Sequence, residues 1–449
     1  MNDIALPYKW KARPHQEPLF KHMFAGGTMQ QKRACEVWHR RAGKDSCSLQ
    51  LAAIGSQQRV GAYWHMLPTA KQGRKVIWEG IDKFGRRMID QAFPKEIRAS
   101  INDTEMRIKL KNGSIYQVVG SDNYDSLVGA NPVGVIFSEY SIANPTSWDY
   151  VRPILAENNG WAVFIYTSRG KNHGYSLYNM AKDNDKWHCA LLTANDTFDR
   201  EGNPIISDQV IQDERDAGMS EEKIQQEFYC SWDVGMEGAF YTKELNIMEA
   251  EGRLRDIPHD PAKPVQTWWD IGFRDATSVI FTQEDDNGHP VGINYMEKRN
   301  MSLADMIREV RSFPYNYDQH FGPHDLEQHD WATGKTRLEM ASLLGFQFEV
   351  VPKIDIASGI DAVRAMLKKM SMDKVACVRL WECLTSYQRE YDENAKIFKD
   401  KPLHNWASHG ADAARYLAVG WERARVYRTW SKEKSEAFRR AHKVRRNLA

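Results

Sequence analysis

The segment His39-Arg40-Arg41-Ala42-Gly43-Lys44-Asp45-Ser46 combines the residue types that bind phosphate. It follows an apolar run, Arg33–Trp38, and opens a helical pattern expected over Lys44–Ala53. In a strand–loop–helix setting, backbone N–H groups and the positive helix end cradle an anion. Gly43 lets the backbone approach closely, and Lys44 reaches the β- and γ-phosphates of a nucleotide. Two positions depart from the GxxxxGK[ST] spacing: Trp38 stands at the first Gly, and Asp45 stands where a Ser or Thr meets Mg2+. Asp45 is the candidate metal holder, directly or through water, with Ser46 a weaker substitute. Read alone, the segment is equally a basic surface turn. A second Gly-Lys-Thr, within Ala332–Thr336, follows polar rather than apolar residues and is set aside.

Nucleotide hydrolysis needs a further apolar strand ending in acid beside the loop. Val133–Phe137 supplies it, with Ser138-Glu139 at its end. Glu139 is the candidate base toward the attacking water, and Ser138 stands where an Asp usually organises the metal shell. A third apolar run, Gly160–Thr167, leads into Thr167-Ser168-Arg169-Gly170, a polar elbow suited to sensing the γ-phosphate. Upstream, Gln16 of Arg13-Pro14-His15-Gln16 is expected to read the adenine edge.

The second half carries a different chemistry. Asp270 ends the strand-like run Val265–Trp269, Asp325 follows Gly322-Pro323-His324, and Asp412 lies in the small-residue helical stretch Ser408–Tyr416. Three carboxylates brought together from two strand ends and a helix form a hard-oxygen site for Mg2+ or Mn2+. Two such ions can activate water and stabilise a leaving oxygen in phosphodiester cleavage. Each Asp alone reads more readily as a solvated surface residue than as a metal ligand. Asp275, Asp330 and His409 are secondary candidates.

The elements that must position these groups follow from patterning. Over residues 1–200, short apolar runs (among them Val60–Leu67) alternate with helical segments, the signature of an α/β parallel sheet. Lys111-Asn112-Gly113 separates two alternating runs and signals a hairpin. Residues 201–260 are charged helical text, expected as a lid or linker. A second α/β domain is expected over 261–422, with a turn at Asp286-Asn287-Gly288, and a basic tail over 423–449.

Composition sets outer bounds. A chain of 449 residues exceeds one compact domain, and about two or three are expected. With 42% hydrophobic and 27% charged residues it is not a disordered chain. Sixty-one Lys plus Arg against 60 Asp plus Glu give a net charge of +1, so any nucleic-acid surface must come from local clustering. No apolar stretch approaches the roughly 18 residues of a membrane helix, mean hydropathy is −0.62, and the N-terminus lacks a signal-peptide layout. Six scattered cysteines without a CxxC pair fit a reducing compartment.

The ordered set RRAGKD at 40–45, VIFSEY at 135–140, YTSRGKNHGY at 166–175, DIGFRDATS at 270–278, PHD at 323–325 and SHGADAARY at 408–416 resembles the large terminase subunits, the ATP-driven DNA-packaging motors of tailed bacteriophages. The resemblance runs from about Arg13 to Leu417. It implies an N-terminal P-loop ATPase domain of the additional-strand type and a C-terminal RNase H-like nuclease domain. It implies an ATP pocket of Gln16, Arg40, Arg41, Ala42, Gly43, Lys44, Asp45 and Ser46, with Glu139 as catalytic carboxylate and Thr167, Ser168 and Arg169 as coupling elbow. Asp270, Asp325 and Asp412 carry over as the acids that bind Mg2+ or Mn2+. The implied partners are double-stranded DNA, a portal protein, a small terminase subunit and further copies of the chain in a ring, within the host cytoplasm and without a membrane. Where relatives place an Arg before the Gly corresponding to Gly129, this chain has Val128, so Arg98, Arg107 and Arg169 are the candidates for a finger completing a neighbour's site. Asn405 stands where an Asp is expected. The alternatives are a helicase–nuclease of DNA repair or restriction, and a non-catalytic scaffold with a degenerate phosphate loop.

Overall fold

Strands buried on both faces need no polar alternation, and that is how the first sheet reads. The computed structural model describes residues 5–82, 84–127, 129–234, 238–272, 276–329, 334–392, 397–421 and 424. Contacts divide the chain into two units, Met1–Gly235 and Met236–Ala449.

The first unit holds eight strands: β1 Arg33–Trp38, β2 Ala62–Leu67, β3 Arg98–Asn102, β4 Arg107–Leu110, β5 Ile115–Gly120, β6 Pro132–Ser138, β7 Trp161–Tyr166 and β8 Trp187–Leu192. Their order is β3-β4-β5-β2-β6-β7-β1-β8. All pairs from β5 to β8 are parallel, so the C-terminal ends of β1, β6 and β7 share one edge of the sheet. β7 lies between the loop strand β1 and the acid strand β6, which is the order of a P-loop ATPase sheet with an additional strand.

Side chains alternate across this sheet with period two. Ile136, Val163 and Ile165 pack with Leu49, Leu51 and Ala52 of the Lys44–Gln58 helix. Phe137 and Phe164 face the other way, with Trp148, Val151 and Leu155 of the Thr146–Glu157 helix. The two Phe rings stack at 4.8 Å, and Trp148 meets both edge-on. Each such fully buried side chain contributes about 1.5–3 kcal/mol. The Lys111–Gly113 turn joins antiparallel β4 and β5, with Gly113 at φ 96°. The helix after the phosphate loop runs to Gln58 rather than stopping at Ala53. Gly55 lets the helix lie against Met29, whose sulfur would be 2.9 Å from an added Cβ.

The second unit contains β9 Leu254–Arg255, β10 Val265–Asp270, β11 Thr277–Glu284, β12 Pro290–Lys298, β13 Tyr317–Gly322, β14 Phe348–Val350 and β15 Ser371–Asp373, ordered β14-β13-β10-β11-β12-β15-β9. β10, β11 and β12 form an antiparallel meander, and β13 and β14 add in parallel beside β10. A three-stranded meander flanked on its first strand by two parallel strands is the RNase H-like arrangement. Asp286-Asn287-Gly288 turns β11 into β12 as expected. A helix over 408–421 packs its small residues on this sheet: Ala411, Ala413, Ala414 and Leu417 are buried in one cluster with Trp268. Trp268 stacks on Phe321 at 4.1 Å, and a Cβ at Gly420 would collide with its ring. A short antiparallel pair, β16 Arg389–Asp392 and β17 Ile397–Pro402, stands apart from the main sheet. Among the described residues, no helix is long and apolar enough to cross a membrane, and all six cysteines are free.

Candidate nucleotide and metal sites

The phosphate loop is built by left-handed backbone and braced from behind. Arg41 (φ 75°) and Gly43 (φ 88°) turn the chain from β1 into the helix, with Gly43 as its cap. The positive φ of Gly43 strains any side chain there, and a Cβ would lie 2.9 Å from Gln16 Nε2, so the Gln16 side chain would have to shift. Gln16 is buried and donates to the Ala42 carbonyl at 3.2 Å and the Gly43 carbonyl at 3.4 Å. Arg13 donates to the Ala42 carbonyl at 3.3 Å. The Ser46 hydroxyl accepts from the Trp10 indole at 2.9 Å.

Lys44 is 7% exposed and sits where three strand ends meet. Its Nζ donates to Thr167 Oγ1 at 3.0 Å and to the Trp38 carbonyl at 3.4 Å, and lies 3.9 Å from Glu139 Oε1. Thr167 Oγ1 itself donates to the Trp38 carbonyl at 3.1 Å. The ends of β1, β6 and β7 are thus tied through one ammonium group. Ser138 Oγ donates to Asp45 Oδ1 at 2.6 Å, joining acid strand and loop a second time. Glu139 holds left-handed backbone (φ 54°, ψ 43°) while its N–H bonds the Ile165 carbonyl at 2.8 Å. Such backbone in a non-glycine residue costs about 1–3 kcal/mol and clusters at functional sites. The Ser168 hydroxyl is buried without a hydrogen-bond partner among the described residues.

Arg40 and Arg169 converge on a residue the sequence did not single out. Glu227, at the end of the Glu221–Glu227 helix, pairs with Arg169 at 2.6 Å and with Arg40 at 3.8 Å. Burial would raise this carboxyl, but Arg169 foremost, then Arg40 and Lys223, hold it below its ordinary value. Its only sequence signal was a capped acidic helix, which reads as a solvated face. Next to the loop, His39 is pushed down to about 4, first by burial and also by Lys44. Of the other finger candidates, Arg98 pairs with Asp90 at 2.5 Å and Arg107 with Glu105 at 2.8 Å.

In the second unit Asp270 ends β10, and the register Asp270–Ser278–Glu297 sets three residues in one row across β10, β11 and β12. Glu297 is a half-buried acid that sequence reasoning missed. It takes Arg379 at 3.1 Å and the Tyr295 hydroxyl at 2.8 Å, and Arg379 holds it low against the effect of burial. His409 Nδ1 stands 3.9 Å from Asp270, and its carbonyl accepts from Ser278 at 2.8 Å. Asp412 Oδ1 accepts from Arg415 at 2.7 Å and Tyr387 at 3.5 Å. Asp325 Oδ1 pairs with His324 at 3.1 Å and accepts from Gln328 at 3.0 Å. The three aspartates share one neighbour: burial first, then Asp270, with Asp412 and Asp325, push the Tyr416 phenol up against Arg415.

Among the described residues, no three His, Cys, Asp or Glu side chains stand close enough to hold a metal ion. Like charges repel, and here Asp325 and Asp412 each turn to a local donor instead. The oxygen donors still suit a hard divalent cation in kind, and all three lie within electrostatic reach of one hydroxyl. Asn405 caps the 408–421 helix region, its side chain accepting from the Ala407 N–H at 2.9 Å, while His404 Nδ1 lies 3.2 Å from Ser408 Oγ. Val128, Asp275, Asp330, the start of the second Gly-Lys-Thr segment and the basic tail beyond 424 lie outside the described residues.

No protein-family model matches the chain. The large terminase subunit of Escherichia phage T5 is 26% identical over 334 residues, 70% of this chain and 71% of that protein. The resemblance drawn from the ordered motifs is met by this relative. Among solved structures, the large terminase of a thermophilic bacteriophage, in complex with ADP, is 14% identical with a TM-score of 0.40, covering 91% of this chain and 99% of that one. The Thermus phage P74-26 large terminase ATPase domain is 16% identical, TM-score 0.39, over 50% of this chain and 96% of that one. The P22 large terminase nuclease domain is 18% identical, TM-score 0.30, over 38% and 88%.

Proposed function

We propose that the chain is the large subunit of a phage terminase, an ATPase that moves double-stranded DNA into a procapsid and a metal-dependent endonuclease that cuts it. The observation that carries the ATPase reading is the meeting of Lys44, Thr167 and Glu139 at the ends of three neighbouring strands. Ligands of open α/β sheets bind at such strand ends.

Lys44, the loop N–H groups and the helix N-terminus neutralise and orient the triphosphate of ATP. Glu139 orients the attacking water and takes its proton. Mg2+ held beside Asp45 would supply charge neutralisation for the phosphates. When a γ-phosphate competes for Lys44, Thr167 loses its ammonium partner, and the elbow Thr167–Gly170 shifts with it. Arg169 carries that shift to Glu227 and the segment over 201–260, which acts as lid. The core over 1–200, the nuclease domain over 261–422 and the basic tail over 423–449 complete the division of labour.

In the nuclease, Asp270, Asp325 and Asp412 are the carboxylates for Mg2+ or Mn2+, which would activate water on the phosphodiester. His409 and Arg415 orient Asp270 and Asp412. DNA contacts are mainly to phosphates, tolerant of sequence and sensitive to salt. The portal protein, a small terminase subunit and further copies in a ring are the partners, in the host cytoplasm. DNA packaging into purified procapsids tests the whole reading: it requires Lys44 and Glu139, and fails to depend on either if the loop is a scaffold relic.

A further inference from the structure

Phosphate-loop ATPases pair a hydroxyl after the loop lysine with a carboxylate at the end of the acid strand, and the two together hold Mg2+. In this chain both residue types are present, on each other's element. The carboxylate, Asp45, lies in the first turn of the Lys44–Gln58 helix, and the hydroxyl, Ser138, is the last residue of β6. They are in direct contact, Ser138 Oγ donating to Asp45 Oδ1 at 2.6 Å. We infer that Asp45 and Ser138 are a reciprocally exchanged pair, in which the metal-facing carboxylate of the nucleotide site belongs to the phosphate loop and the acid strand contributes only the hydroxyl that orients it. The inference rests on the nucleotide reading of the Lys44 pocket and deepens it.

Three physical arguments support the exchange. The number of negative charges at the contact is conserved, one carboxylate and one hydroxyl, so the pocket keeps its balance against Lys44. The helix N-terminus favours an anionic side chain in its first turn, which stabilises Asp45 where it now stands. The remaining hydroxyl of the loop, Ser46, accepts from the Trp10 indole at 2.9 Å, whereas Asp45 and Ser138 contact each other directly. The consequence is mechanical: the carboxylate now travels with Lys44 and the loop rather than with Glu139 and the acid strand.

The test uses the full chain and a fluorescent, non-hydrolysable ATP analogue, whose affinity is measured with Mg2+ and with chelator. Asp45→Ser should lose about 10-fold or more of the gain in affinity that Mg2+ confers, the scale seen when a shell residue is removed. Ser138→Asp sets two carboxylates in contact and should lower the melting temperature without nucleotide. The double exchange Asp45→Ser/Ser138→Asp should recover both quantities, the Mg2+ gain to within about 3-fold of the parent, because the two sites are strongly non-additive. An Asp45→Ser chain that keeps the full Mg2+ gain, or a double exchange no better than Asp45→Ser alone, overturns the exchange. If the double exchange does not fold, Asp45→Asn decides: it preserves shape and must lose the same Mg2+ gain, and retention refutes the inference. Analogue binding indifferent to Lys44→Ala would instead bring down the pocket itself, and the exchange with it.

Discussion

The two candidate sites solve the problem of gathering polar side chains in opposite ways. In the first unit the groups are of mixed type, an ammonium, hydroxyls and carboxylates, and they satisfy one another: Lys44 with Thr167 and Glu139, Ser138 with Asp45. In the second unit the groups are three carboxylates, and they do not meet. Asp412 turns to Arg415 and Asp325 to His324, while the charge of all three reaches Tyr416. A site with its own counter-charges assembles by itself, whereas a like-charge site needs a cation to draw it together.

The largest effect that would sharpen this contrast is at Glu139. Glu139→Gln should slow ATP hydrolysis by about 10²–10⁴-fold, the range for a lost general base, with little change in stability. A rate within a few-fold of the parent would remove Glu139 from the chemistry. Next comes the ligand dependence of folding. Mg2+ or Mn2+ without nucleotide should raise the melting temperature through the second unit, and Asp270→Asn should abolish that shift. An equal shift in Asp270→Asn would mean the cation binds elsewhere.

A smaller effect is expected at Glu227. Glu227→Gln weakens the buried pairing with Arg169 and should cost about 1.5–3 kcal/mol in denaturant unfolding, while loosening hydrolysis from DNA movement. The smallest is a pH effect in the first unit. Burial lowers His65 to about 3, so the folded state resists the proton that the unfolded state accepts near 6.5. Stability from this group is full above about 6.5 and declines as the pH falls toward 3. His65→Asn should flatten that part of the profile in urea titrations.

Much of this was legible in the sequence where the chain itself carries the constraint. β1, β6 and β7 appear as apolar runs because both faces of a parallel sheet are buried. The Asn-Gly hairpin and the Asp286–Gly288 turn are local backbone requirements, and in the second Gly-Lys-Thr, Thr336 caps the Arg337–Leu343 helix, bonded to Glu339. What escaped depends on distant packing. Glu227 reads as one more acid in a charged helix until Arg40 and Arg169 arrive from other elements. Glu297 reads as a strand-end acid until Arg379 and Tyr295 enclose it. The edge strand β8 is only half-buried along its whole length, and its run was not singled out. Asp45 and Ser138 read in the sequence as exchanged residue types, and what the structure adds is their direct contact.

The claim beneath both readings is that two chemically separate centres share one polypeptide. It is tested most directly by assaying ATP hydrolysis and Mg2+- or Mn2+-dependent plasmid cutting on the same preparations of Lys44→Ala and Asp270→Asn. The account expects Lys44→Ala to lose hydrolysis and keep cutting, and Asp270→Asn to keep hydrolysis and lose cutting. A single variant that abolishes both activities while remaining folded, or Asp270→Asn that still cuts, contradicts it.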